Sequence, residues 1–70
     1  MTNDKAIKAA ALADKLRKDA IEFNDTSRRM SAFAVEFGDS EFAKHAQELA
    51  GAAMIAPHWA DAIEKRGVVA

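Results

Sequence analysis

The chain has 70 residues, enough for one small domain, and its ten Lys and Arg nearly balance eleven Asp and Glu for a net charge of −1. That balance argues against a general nucleic-acid binder, which needs a basic field. The absence of cysteine excludes disulfides and thiolate zinc sites. Half the residues are hydrophobic and roughly a quarter are alanine. Alanine enters a helix without losing side-chain entropy, whereas β-branched residues are few and tyrosine is absent, so the expectation is an all-α fold.

The first predicted helix runs from about residue 3 to 37, with Thr2, Asn3 or Asp4 able to cap its start. Its apolar seam is Ala9, Leu12, Leu16, Ala20, Phe23, Ser27, Met30, Ala34 and Phe37, in steps of three and four. Charges form i,i+4 pairs off the seam: Asp4–Lys8, Asp14–Lys18, Lys15–Asp19, Lys18–Glu22 and Asp25–Arg29. Asn24-Asp25-Thr26-Ser27 are poor helix formers and good caps, so a break there would give three helices. The seam keeps its phase across them, which favours one helix about 50 Å long at ~1.5 Å per residue.

The predicted turn covers residues 38–40. Gly38 suits the left-handed conformation that ends a helix, and Asp39 or Ser40 can accept the free N–H groups of the next one. Phe37 and Phe42 flank the turn and are expected to pack across it. The second helix is expected over about residues 40–66, with the seam Phe42, Ala46, Leu49, Ala53, Ala56, Ala60 and Ile63 and with Gly67 as its terminator. Pro57 lies inside it, and a kinked helix is expected rather than two short ones.

From Leu49 to Ala56 the second helix is apolar all round, and one partner helix covers only one side. Two such hairpins packed together would form a four-helix bundle, so the expectation is a helical hairpin that works as a homodimer. No stretch approaches the ~20 apolar residues of a membrane span, and Met1–Lys8 is too polar for a secretory signal, so a cytoplasmic location is expected.

The chemistry is sparse. Glu41, His45 and Glu48 share a helical face, as do His58, Asp61 and Glu64, yet neither histidine has the Glu three residues before it that helical di-iron sites use. These read as solvated faces, with no metal or cofactor expected. Gly38-Asp39-Ser40 resembles the Asp-Ser-Leu phosphopantetheine site of acyl carrier proteins, but Glu41 stands where that family has leucine. Ser27 and Ser31 have no histidine at helical spacing, and no glycine-rich phosphate loop is present, so the chain is not expected to be an enzyme. Lys8, Lys15, Lys18, Arg28 and Arg29 lie along the first helix but are interleaved with Asp4 and Glu22, so a basic patch built across a dimer for nucleic acid is the alternative reading.

The first reading is a non-enzymatic regulatory module that binds an unidentified protein partner. Its candidate contacts are Arg28, Arg29, Met54, His58 and Trp59, since Trp and Arg concentrate binding energy and Met adapts to varied surfaces. The plainer expectation for Met54 and Trp59 is that they form dimer core. In layout, and in the stretches Ala9–Arg17 (AAALADKLR) and Gly51–Ala62 (GAAMIAPHWADA), the chain resembles small all-helical accessory proteins of lambdoid bacteriophages. The resemblance implies a regulator of host physiology or phage development and carries over no residue roles.

Overall fold

The computed structural model describes the backbone of residues 4–69 and the side-chain environment of residues 4–67. Two helices, α1 (Asp4–Phe37) and α2 (Ser40–Val69), pack along their length as an antiparallel hairpin of 57 × 13 × 11 Å. Among the described residues there is no strand. The expected caps at Thr2 and Asn3 lie outside the described residues.

The turn forms as its residues dictate. Gly38 takes φ 64°, which a side chain would resist. The Asp39 N–H then reaches back to the Ala34 carbonyl at 2.9 Å, closing the end of α1 in a Schellman arrangement. Asp39 also opens α2, its Oδ1 accepting from the N–H groups of Glu41 and Phe42, both at 3.1 Å. Across the turn it is Phe33, one helical turn before Phe37, that meets Phe42, at a ring separation of 5.0 Å; Phe37 stacks on Phe33 at 4.4 Å.

α1 passes unbroken through Asn24–Ser27. The Ser27 hydroxyl donates to the Asn24 carbonyl at 2.8 Å, so this buried polar group is satisfied inside its own helix. α2 continues through Pro57 and three residues past the expected end, carrying Gly67 inside it. Gly67 is therefore no terminator. A Cβ on it would collide with that of Ala9 and lie 3.2 Å from the Lys5 carbonyl oxygen and 3.4 Å from the Ala6 Cα.

That closeness reflects the core. Ala6, Ala13, Ala20, Ser27 and Ala34 recur every seventh residue of α1, and Ala46, Ala53, Ala60 and Gly67 do so in α2. A strict seven-residue repeat keeps a stripe facing its partner when two helices wrap left-handedly. Among the described residues the buried hydrophobic ones are Ala13, Ala20, Ala34, Ala46, Ala56 and Ala60, and no large side chain is fully enclosed. Alanine at the contact sets the helices at the close end of the usual ~8–10 Å separation. This corrects the expected seam in its detail: Leu12 and Phe37 are exposed, and Ala13 holds the central place that Leu12 was expected to take.

Candidate interaction site

With Ala6 and Ala46 each taken as heptad position a, the hairpin has two unlike sides. One is built from positions d and g. It carries the half-buried Leu16, Phe23, Met30, Leu49 and Ile63, flanked by Leu12 (51% exposed), Phe33 (40%), Phe42 (37%) and Trp59 (54%). Its polar members are Lys5, Asp19, Thr26, His45 and Arg66. Asp19 is its one carboxylate and is held by Lys15 at 2.7 Å. That hydrogen bond and the attached charge raise the Lys15 ammonium above its ordinary value.

The other side, at positions b and e, is largely polar. Asp14, Arg17, Asn24, Arg28, Gln47, Asp61 and Glu64 interrupt Ile7, Ile21, Val35 and Met54. Here Arg17 joins the helices, its Nη2 donating to Asp61 at 2.7 Å and also to Glu64. The bonds to Glu64 and then Asp61 raise the guanidinium further above its already high ordinary value. Beside it lies a shallow groove of ≈ 370 Å³ lined by Ala20, Ile21, Asn24, Ala53, Met54 and Pro57. Sequence reasoning missed this clip. The signal that would have found it is antiparallel register: once Gly38 is placed as the turn, Arg17 falls at the level of Asp61 and Glu64.

The five candidate contacts do not form one cluster. Met54 lines the polar-side groove, whereas Trp59, five residues on and about 140° round the helix, faces the apolar side. His58 is exposed, as is Arg28, and Arg29 is bound to Asp25 at 3.2 Å. Asp14–Lys18 also forms, at 3.0 Å, so Lys18 turns to Asp14 and not to Glu22. His45 pairs with Glu48 at 2.9 Å, and among the described residues no three acidic or histidine side chains converge to hold a metal. Ser40 is the exposed first residue of α2, with the capping carried by its neighbour Asp39. No described helix is long and apolar enough to cross a membrane.

Comparison with family models, curated proteins and solved structures finds no match.

Proposed function

We propose that the chain is a non-enzymatic interaction module that acts as a homodimeric four-helix bundle and binds a protein partner. One observation carries this reading. Among the described residues the lone hairpin encloses only alanines and a serine, while Leu12, Phe33, Phe42 and Trp59 are partly exposed to solvent on one side. Burying a methyl group contributes about 0.8 kcal/mol, against about 1.5–3 kcal/mol for a Leu or Phe side chain. The larger contribution is therefore available only to a second body. The exposed area agrees: the chain presents 5487 Å², whereas a compact monomer of 7.6 kDa presents about 4,300 Å².

In this reading the apolar side pairs two copies, and a bend at Pro57 adjusts α2 to the bundle. The outward Arg28, Arg29 and His58 remain for the partner. The resemblance to phage accessory proteins suggests a modulator of host or phage development in the host cytoplasm. Nucleic acid is the weaker alternative, because Lys15, Arg17 and Lys18 are already engaged by carboxylates.

Sedimentation equilibrium tests the dimer, and a folded monomer at tens of micromolar refutes it. Affinity capture with wild type and Arg28→Ala/Arg29→Ala tests the partner face, with loss of one stoichiometric protein expected. A mobility shift that fades steeply with salt would instead support the nucleic-acid alternative.

A further inference from the structure

Building on the homodimer reading, we infer that the second copy seats on the Leu12/Phe33/Phe42/Trp59 side in reversed orientation, the turn end of one hairpin over the open end of the other. Three observations converge. First, the two sides differ: the d/g side has a single carboxylate, already held by Lys15, while the b/e side is crossed by Arg17, Asp61 and Glu64. Burying that second side would desolvate a charged cluster.

Second, the area fits. A face 57 by 13 Å covers roughly 740 Å², close to the ~800 Å² per partner of a standard stable interface. It also removes more than half of the surface by which the lone hairpin exceeds a compact monomer.

Third, charge is polarised along the hairpin. Residues 21–55, the turn half, carry six acidic and three basic side chains, net −3. The open half carries five acidic and seven basic, net +2. Reversed packing brings Lys8 and Arg66 of one copy towards Glu36 and Glu41 of the other. Packing with both turns at one end would set Glu36 against Glu41 and Lys8 against Arg66. Complementary potentials of this kind fix register and reject the wrong arrangement.

The chain has no cysteine, so a single Ser40→Cys label marks the turn end alone. Dipolar spectroscopy on the nitroxide-labelled protein, with sedimentation on the same sample, is expected to give a dimer whose labels are separated by most of the 57 Å length. A dimer with labels within two helix diameters, about 20–24 Å, overturns the reversed arrangement and leaves the homodimer standing. A monomer removes the homodimer itself.

The single tryptophan reports the face. Trp59 emission is expected to shift to the blue as dilute protein is concentrated, and an unshifted emission in the dimer overturns the assignment. Trp59→Asp is expected to raise the dimer dissociation constant about 100-fold, and Met54→Asp, on the other side, to leave it within about threefold. The opposite ranking overturns the face.

Discussion

Gly67 lies against Ala9 so closely that a methyl group on either helix fills the gap alone. Gly67→Ala gains about 1 kcal/mol of helix propensity but drives a carbon into Ala9 and towards the backbone of Lys5 and Ala6, where overpacking costs about 1–3 kcal/mol. The net expected in thermal unfolding is a loss. Gly51 is the control, since a Cβ there meets nothing within 4 Å. Gly51→Ala is expected to raise the midpoint by about 4–8 °C per kcal/mol gained.

Gly38 has open space around it but a positive φ of 64°. Gly38→Ala is expected to cost about 1 kcal/mol through the backbone alone, and Gly38→Asn less, because asparagine tolerates the left-handed region. Equal losses for the two in denaturant titrations would mean that the turn had rearranged.

Ala13 and Ala60 are both fully buried, at 0% exposure. Enlarging either to leucine is expected to cost about 1–3 kcal/mol by wedging the helices apart. Leu12→Ala, one residue away, is expected to leave helicity intact and weaken self-association. Circular dichroism read beside sedimentation separates the two effects.

Arg17→Met removes the ion clip while keeping an apolar stem over the groove. The variant is expected to be slightly less stable than wild type in dilute buffer and equal to it near 1 M salt, where the screening length is about 3 Å. Because the guanidinium is raised in the folded state, its contribution is fully present below its already high ordinary value and stays level through neutral pH. Lys15, also raised, contributes fully below 10.5 and loses that contribution as pH climbs beyond its folded-state value. A melting-temperature difference between wild type and Arg17→Met that collapses between about pH 6 and 9 would contradict this assignment.

The hairpin was legible because Gly38 and Asp39 are unambiguous chemistry: one residue tolerates positive φ and the next supplies a cap. The inner stripe was legible only in part. Sequence reasoning placed Leu12 inside because large apolar side chains usually occupy cores. Here close helix approach reverses that preference and selects the smallest residues, so Ala13 is enclosed and Leu12 stands out. Gly67 read as a stop signal for the same reason, since its use as a spacer depends on Ala9, 58 positions earlier in the chain. The Phe33–Phe42 contact and the Arg17 clip were missed because both join residues on different helices and emerge only from the antiparallel register that the Gly38 turn sets, not from a pattern along one helix. Met54 and Trp59 looked alike in sequence and diverged once the direction of α1 was known.

The Arg17 clip marks a back as well as a joint. A body with two adhesive flanks can add copies without end, as in a fibre, whereas one that spends its only adhesive flank on a twin has nothing left to offer the next. In the pairing proposed above, with Arg17, Asp61 and Glu64 set among the apolar residues of the reverse side, growth stops at two.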